Sequence, residues 1–236
     1  MKIALIGYGK MGRIIDSLAG AEGCEVVLRI DKDNLNDLEK LGEADVAIEF
    51  SQPESAVANF YRCFDAGLPV VSGTTGWTDR MEEVKAYCAK AGGAFFYASN
   101  FSIGVNVFFA LNRFLAERMD PLSDYDIRME ETHHTQKLDA PSGTAITLAN
   151  DILSRLERKD KWTKGKTDQA NELPILSHRL DPAPGTHQVF YRSAIDEIEI
   201  RHEAFSREGF ARGALRAARW VKGKKGCFGM NDLLGF

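Results

Sequence analysis

The sequence predicts an α/β protein in which a Rossmann-type parallel sheet domain is joined to a second, smaller α+β domain. Short apolar runs alternate with amphipathic segments over the first hundred residues, and a glycine-rich turn follows the first run. Near residue 104 this alternation stops, and strand candidates come close together instead. Alternating strands and helices form parallel βαβ units, whereas grouped strands and helices are typical of α+β domains.

Five buried strands are predicted in the first part, because each run is short, apolar and bounded by polar or turn residues. These strands are Ile3–Ile6, Val26–Ile30, Val46–Phe50, Pro69–Ser72 and Ala94–Ala98. Helices are predicted to start near Met11, Pro53 and Thr78. Pro53 suits a first helical turn, where its missing N–H would have no intrahelical partner.

The second part combines long helices with separate strands. A long apolar helix is followed by a strand, a loop, another helix, a polar exposed connection, two strands and a final helix. The predicted elements are Val105–Met119, Tyr125–Glu131, about Ser142–Glu157, the connection Lys159–Asn171, Thr186–Tyr191, Ile195–His202 and Arg207–Val221.

Composition narrows the function classes. The 236 residues carry 30 basic and 34 acidic side chains, a net charge of −4, which gives no reason to expect nucleic acid or an anionic membrane as partner. The first apolar run is too short for a signal peptide, and no stretch approaches the ~20 apolar residues of a membrane helix. The four cysteines are far apart, which predicts buried thiols, no zinc site and a reducing, cytoplasmic location.

The turn Gly7-Tyr8-Gly9-Lys10-Met11-Gly12 has the G-x-G-x-x-G spacing of a dinucleotide-binding loop. Gly7 permits the tight turn, Gly9 allows a pyrophosphate close to the backbone, and Gly12 allows the helix to pack on the strand. Free N–H groups at the start of the helix suit the same anion.

Asp31 stands about twenty residues further on, where the ribose-binding acid is expected. Its carboxylate favours NADH, while Lys32 beside it offers a charge for a 2′-phosphate, so both NADH and NADPH stay open. Gly73-Thr74-Thr75-Gly76 follows the fourth strand, where ligands bind in open parallel sheets. An ordinary turn also explains that second loop.

The stretch from Glu130 to Ala145 contains His133, His134 and Lys137 close to a predicted helix start. Histidine transfers protons near neutral pH, and lysine adds positive charge for an anionic substrate. Ser142 suits an N-cap, which would leave the amides of Gly143 and Thr144 facing a carboxylate. No metal is expected at His133 and His134, because neighbouring side chains diverge.

The string His-His-x-x-Lys-x-Asp-Ala-Pro-Ser-Gly-Thr resembles that of the dihydrodipicolinate reductase family. The resemblance covers nearly the whole chain, including Gly7–Gly12, Gly73–Gly76, Ala98–Asn106 and Phe210–Ala214. It implies an NAD(P)H-dependent reductase of lysine and diaminopimelate biosynthesis that acts on a small cyclic dicarboxylate and assembles as a homotetramer. It also implies a cofactor domain of residues 1–103 plus 208–236 and a substrate and tetramerisation domain of residues 104–207.

The resemblance assigns roles to individual residues. His133 and Lys137 match the acid/base histidine and the proton donor, although the residues alone do not decide which of the two delivers the proton. His134, Gly143 and Thr144 match substrate-carboxylate positions. The matching cofactor positions are Gly7, Gly9, Lys10, Met11, Gly12, Asp31, Gly73, Thr74, Thr75, Ala98, Ser99, Asn100 and Phe101.

Two other functions share the predicted fold. One is an oxidoreductase that reduces a different acid, since fold alone does not fix the substrate. The other is a catalytically idle NAD(H)-binding sensor, against which the presence of both His133 and Lys137 argues. The glycine loop is one residue shorter than in many family members, which leaves the cofactor preference open.

Overall fold

The computed structural model describes all 236 residues. The strands are β1 (Lys2–Ile6), β2 (Glu25–Ile30), β3 (Val46–Glu49), β4 (Val70–Ser72), β5 (Ala94–Tyr97), β6 (Asp126–His133), β7 (Lys161–Lys164), β8 (Glu172–Arg179), β9 (Gly185–Arg192), β10 (Glu197–Ala204) and β11 (Gly226–Phe228). The helices are α1 (Lys10–Ala19), α2 (Pro53–Asp65), α3 (Met81–Ala91), α4 (Ile103–Met119), α5 (Gly143–Leu153), α6 (Glu208–Val221) and α7 (Met230–Leu234). Two 3-10 helices span Leu35–Glu43 and Thr78–Arg80.

The chain divides into two units, residues 1–103 with 208–236 and residues 104–207. The first unit contains a six-stranded parallel sheet in the order β11-β5-β4-β3-β1-β2. One face packs on α1 and α6, and the other on α2 and α3. The strand order reverses between β1 and β3, and open α/β sheets bind ligands outside the carboxyl ends of the strands at such a reversal.

The second unit contains a five-stranded mixed sheet in the order β10-β9-β6-β8-β7. Strand β6 is antiparallel to β9 and parallel to β8. Alternate residues of β6, from Ile127 to His133, are buried on one face, which packs against α4 and α5. The parallel sheet of the first unit and this second, mixed sheet confirm the predicted fold class. No helix is long and apolar enough to cross a membrane.

The prediction of an exposed polar connection over Lys159–Asn171 holds for most of its residues but was wrong at Lys159 and over one short strand. Strand β7 lies within it, at the edge of the second sheet, and Lys159 is 4% exposed. The Lys159 ammonium donates to Asp126 and to the carbonyl oxygens of Ala170 and Glu172, at 2.8 to 3.0 Å. These three acceptors satisfy all of its donors, which is why a lysine is tolerated inside the unit.

Smaller differences concern the ends of elements. Helix α5 ends at Leu153 rather than near residue 157, and the helix expected near Thr78 begins as a 3-10 turn before α3. Strands β7, β8 and β11 were not predicted from the sequence. The expectation that all four thiols are buried was also wrong, because Cys227 on β11 is exposed.

Candidate active site

The glycine turn after β1 requires glycine at two positions. Gly7 has a φ of +91°, and a Cβ there would lie 2.1 Å from the carbonyl oxygen of Phe50. A Cβ on Gly12 would lie 2.4 Å from the carbonyl oxygen of Gly7. A Cβ on Gly9, in contrast, would meet nothing within 4 Å. The turn is therefore tightly packed against backbone atoms at Gly7 and Gly12, and there is free space beside Gly9.

The open side of this turn is the N-terminus of α1. Gly9 is the N-cap and provides no side-chain hydrogen bond, and Lys10 and Met11 are the first helical residues. Their N–H groups have no acceptor within the helix, and the helix dipole places positive charge there. This space and these donors fit a dinucleotide pyrophosphate.

Asp31 follows β2 at the same edge of the sheet. Ile6 pairs with Ile30 in the parallel ladder, so the glycine turn and Asp31 leave adjacent strands at the same level. The Asp31 side chain is exposed, and its Oδ1 accepts the Lys32 N–H at 2.9 Å. A carboxylate at this position can accept hydrogen bonds from a ribose.

A buried carboxylate supports the loop after β4, and sequence reasoning missed it. Glu49, at the end of β3, accepts hydrogen bonds from Ser51 and, at 2.7 Å, from Ser72. Burial raises the pKa of Glu49. The Ser51 N–H donates to Thr74 Oγ1 at 2.9 Å, and the Trp77 indole donates to the Thr74 carbonyl at 2.7 Å. The ends of β3 and β4 are thereby joined.

Thr74 is buried, and its side chain and carbonyl oxygen accept hydrogen bonds within this network. Thr75 is exposed. The adjacent Gly73 is needed because a Cβ there would lie 2.1 Å from the ring of Phe50. Gly73 therefore packs directly against the Phe50 ring, and Thr75 is an exposed side chain of this loop.

The segment Ala98–Phe101 follows β5, beside that loop. The Ala98 N–H donates to the Ser72 carbonyl at 3.2 Å, and the Phe101 ring packs 5.7 Å from that of Phe50. Ala98 and Phe101 are buried, Asn100 is half-buried and Ser99 is exposed. The structure thus brings all the predicted cofactor residues to the carboxyl ends of β1, β2, β4 and β5.

A second set of chemical groups centres on Glu131 in the other unit. Glu131 is 1% exposed and lies between Ser177 on β8 and His187 on β9, which are its register partners. Ser177 Oγ donates to Oε1 at 2.7 Å, and the Ser142 N–H contacts both carboxylate oxygens at 3.1 Å. The Arg179 guanidinium is 3.8 Å from Oε1. The carboxylate is held from three elements.

Both buried histidines face this carboxylate. His133 Nδ1 and His187 Nε2 lie 3.6 and 3.7 Å from Glu131 Oε2, and their ring centroids are 5.1 Å apart. His187 Nε2 also lies 3.1 Å from Ser142 Oγ. A Cβ on Gly185 would approach His133 Nε2 to 3.2 Å, so the missing side chain makes room for the imidazole.

The surroundings of this cluster favour two neutral imidazoles beside one ionised carboxylate. Burial lowers the pKa of His133, and Lys137 and Arg179 add to that effect while Glu131 opposes it. Burial lowers the pKa of His187 to about 3. Burial acts to raise the pKa of Glu131, but hydrogen bonds from Ser142 and Ser177 hold it below its usual value. Near pH 7 both imidazoles are neutral and Glu131 is ionised.

Lys137 lies in the loop after β6 as one half of an ion pair. Its ammonium is 2.8 and 2.9 Å from the two oxygens of Asp139. Arg179 donates to the carbonyl oxygens of Lys137 and Asp139, at 3.1 and 2.6 Å, and so fixes the loop to β8. The charge of Lys137 acts on His133, which places the two predicted catalytic groups in one electrostatic neighbourhood.

The start of α5 provides donors for an anion. Ser142 is the N-cap, and its Oγ accepts the Ala145 N–H at 3.2 Å, as the sequence predicted. This cap leaves the N–H groups of Gly143 and Thr144 without an acceptor, and a Cβ on Gly143 would meet nothing within 4 Å. A carboxylate fits these two amides.

His134 lies outside the cluster of Glu131, His133 and His187. It lines a cavity of about 320 Å³ whose other residues are Gln136, Asp181, Pro182, Ala183, Pro184, Ser206 and Arg207. The Thr135 N–H and hydroxyl both donate to Asp181, which ties the loop after β6 to one wall of the cavity. Its volume is at the lower end of the range for small-molecule sites.

Glu131, His133 and His187 are also the residues of this unit that could hold a metal, because one donor atom from each lies within 4.8 Å of the others. Ser142 and Ser177 already occupy the carboxylate and the His187 nitrogen. This favours proton handling over metal binding. Sequence reasoning did not assign roles to Glu131, His187, Ser177 or Arg179, since their proximity depends on strand register.

Comparison with known proteins gives a consistent result. Models of the N-terminal and C-terminal parts of dihydrodipicolinate reductase match residues 1–101 and 104–234. The 4-hydroxy-tetrahydrodipicolinate reductase of Christiangramia forsetii is 49% identical across 99% of this chain and 98% of its own length. That of Clostridium novyi is 36% identical, with the same coverage of both chains.

Solved structures show the same fold. A dipicolinate-bound dihydrodipicolinate reductase from Paenisporosarcina sp. TG-14 superposes with a TM-score of 0.78 at 23% identity, covering 98% of each chain. An amine dehydrogenase from Mycobacterium smegmatis has a TM-score of 0.61 at 10% identity, covering 96% of this chain and 93% of its own.

Proposed function

The chain belongs to the dihydrodipicolinate reductase family, and from this we propose that it reduces 4-hydroxy-tetrahydrodipicolinate to tetrahydrodipicolinate with NADH or NADPH. The reaction belongs to lysine and diaminopimelate biosynthesis. The observation that carries the proposal is the cluster of His133, His187 and Glu131 tied through Ser142 to the open N-terminus of α5. It combines proton-handling groups with a carboxylate site.

We propose that the first unit holds the cofactor. Gly9, Lys10 and Met11 receive the pyrophosphate, Asp31 the adenosine ribose, and Thr75, Ser99 and their loops the nicotinamide end. The bound reduced nicotinamide supplies hydride to the substrate. Asp31 favours NADH, because its negative charge opposes the phosphate of NADPH, whereas Lys32 lies next to it and weakens that preference.

The second unit holds the substrate in this proposal. One carboxylate of the cyclic dicarboxylate receives the N–H groups of Gly143 and Thr144, where helix dipole and free donors act together. His134, on the wall of the 320 Å³ cavity, contributes to binding the acid. The remaining negative charge is balanced by Lys137.

A proton must accompany the hydride, and water is lost as the hydroxyl group leaves. The lowered pKa of His133 leaves it neutral near pH 7, so we assign the donated proton to Lys137, whose side chain forms an ion pair with Asp139. Releasing its pair with Asp139 frees that ammonium for the substrate. His133 then acts as a neutral hydrogen-bonding partner, and Glu131 as the positioning residue that orients it.

The test is the loss of reduced-nicotinamide absorbance, with substrate produced in place by a coupled synthase. His133→Ala and Lys137→Ala should each lower kcat by about 10²-fold or more while NADH still binds. His178→Ala is the matched control, because His178 is exposed on β8 and contacts Glu130 rather than the cluster. NADH binding without turnover by the wild type would remove the reductase function and leave a sensor.

We also propose that four copies assemble through the second unit, in the cytoplasm. Its sheet is covered by α4 and α5 on one face only, and the face that carries Arg128 and Glu130 is open in the single chain. Light scattering should give four times the 26.2 kDa of one chain. A mass of one chain at working concentration would contradict this assembly.

A further inference from the structure

Two cysteines from distant parts of the chain meet at the edge of the first unit's sheet. Cys227 lies on the edge strand β11 and is exposed, whereas Cys88 lies on α3 and is fully buried. Cys227 pairs in register with Phe95, which packs in the same apolar cluster as Cys88. Residues that pair in register share a face of a sheet, so both thiols lie on the face covered by α3.

The sulfur atoms are near neighbours. Cys88 Sγ is 3.9 Å from the carbonyl oxygen of Gly226, the residue directly before Cys227. The Gly226 N–H donates to Gly93, and the Gly93 N–H donates to the carbonyl of Cys88, each at 2.9 Å. This chain of hydrogen bonds fixes the start of β11 to the end of α3, and it holds the two thiols close enough for each to shift the pKa of the other.

The contact between the thiols makes them chemically different. The neighbouring Cys88 thiol lowers the pKa of Cys227 to about 7, against the effect of burial. The positive charge of Lys85 supports the thiolate, and the negative charge of Glu82 opposes it. The same contact, together with burial, raises the pKa of Cys88. The accessible sulfur is thus the one that ionises, and the buried sulfur stays protonated beside it.

We propose that Cys227 and Cys88 form a peroxide-reactive dithiol, in which exposed Cys227 attacks the peroxide and buried Cys88 resolves the product as an intramolecular disulfide. The site is separate from the reductase residues and does not depend on the proposed function.

The chemistry balances with hydrogen peroxide as the named oxidant. The Cys227 thiolate attacks one peroxide oxygen, an S–O bond forms, the O–O bond breaks, and hydroxide leaves and becomes water. The product is a sulfenic acid. Cys88 then attacks that sulfur, the S–S bond forms, the S–O bond breaks, and the hydroxyl group leaves as a second water with the Cys88 proton. The two sulfurs lose two electrons, and the peroxide gains them.

The other two cysteines lack this arrangement. Cys24 and Cys63 are both buried, and burial raises the pKa of Cys63. Thiols that are buried and protonated are poor nucleophiles. Cys24→Ser is therefore a matched control that removes a thiol outside the pair.

The experiment treats the full-length protein with hydrogen peroxide and measures intact mass without reductant. The wild type should lose two hydrogens, and peptide mapping should join the segments that contain Cys88 and Cys227. Cys227→Ser should slow peroxide-dependent thiol loss by roughly tenfold or more, because an ordinary thiol has a pKa of about 8.5. Cys88→Ser should stop at a sulfenic acid that dimedone traps.

Cys24→Ser should react like the wild type, and circular dichroism of each reduced variant checks its fold. Three outcomes would overturn the proposal: no change in wild-type mass, a disulfide that joins other cysteines or two copies, or a Cys227→Ser variant that reacts at the wild-type rate.

Discussion

Acid should weaken the second unit through His187, a group that the proposed reaction does not titrate. The pKa of His187 falls from 6.5 to about 3 on folding, because the side chain is buried and lies beside the His133 ring. Between pH 6.5 and pH 3, His187 is protonated in the unfolded chain but stays neutral in the folded chain. Stability is therefore complete above pH 6.5 and decreases as the pH falls towards 3.

The size of the effect follows from the shift. Each pKa unit corresponds to about 1.4 kcal/mol, so His187 alone removes about 2 kcal/mol of unfolding free energy between pH 7 and pH 5. Over the whole interval down to pH 3 the loss is about 4 kcal/mol. His187→Gln keeps a polar side chain near Ser142 but cannot titrate, so its stability should decrease less over the same interval.

The assay is urea unfolding at pH 7 and pH 5, followed by ¹⁹F NMR of protein labelled with 5-fluorotryptophan. Trp162 is the tryptophan of the second unit, and its resonance reports that unit separately from the resonances of Trp77 and Trp220. The difference in unfolding free energy between wild type and His187→Gln should change by about 2 kcal/mol between the two pH values. An unchanged difference would refute the assignment of a neutral, buried imidazole at position 187.

Three further changes test other parts of the molecule. Gly9→Ala should fold normally but bind NADH roughly tenfold more weakly in a fluorescence titration, because its Cβ occupies the open space at the N-terminus of α1. The control variant Gly20→Ala should bind NADH normally. Asp31→Ser should raise kcat/KM for NADPH relative to NADH, by roughly tenfold, through loss of the opposing charge; an unchanged ratio would exclude Asp31 from the ribose site. Lys159→Ala should cost about 3 kcal/mol in urea unfolding, because two carbonyl groups and a carboxylate lose their donor, and a cost below 1 kcal/mol would contradict that network.

Strands β1, β3, β4 and β5 of the first unit could be predicted because they are buried almost throughout and therefore read as apolar runs. The three-residue edge strand β11 of the same sheet could not. The polar strand β7 could not, since it lies at a sheet edge and its sequence is Lys-Trp-Thr-Lys. Lys159 was misjudged for a related reason. A lysine predicts an exposed position unless its three acceptors are known, and those come from residues 11 to 33 positions away.

The residues of the candidate site that could be predicted from the sequence belong to one consecutive stretch. Those that were missed reach the site only through the pairing of strands. His133, Lys137 and the Ser142 cap belong to one stretch of sequence. Ser177 and His187 reach Glu131 only through the register of β8 and β9 with β6. One local signal was present: Ile127, Met129 and Glu131 alternate along β6, and an acid in an inward position needs donors from elsewhere.

Glu131 links the two ends of the segment that holds the proposed catalytic and carboxylate-binding residues. The loop after β6 leaves the strand at His133, and its other end returns to the same carboxylate through the Ser142 N–H. One buried charge therefore lies 3.6 Å from the imidazole at the start of the loop and accepts the Ser142 N–H at its end. Glu131 needs these hydrogen-bond donors to stay ionised, because burial without them would raise its pKa and favour the protonated form. Loss of the Glu131 charge should therefore disturb both the surroundings of His133 and the N-terminus of α5 that carries the Gly143 amide.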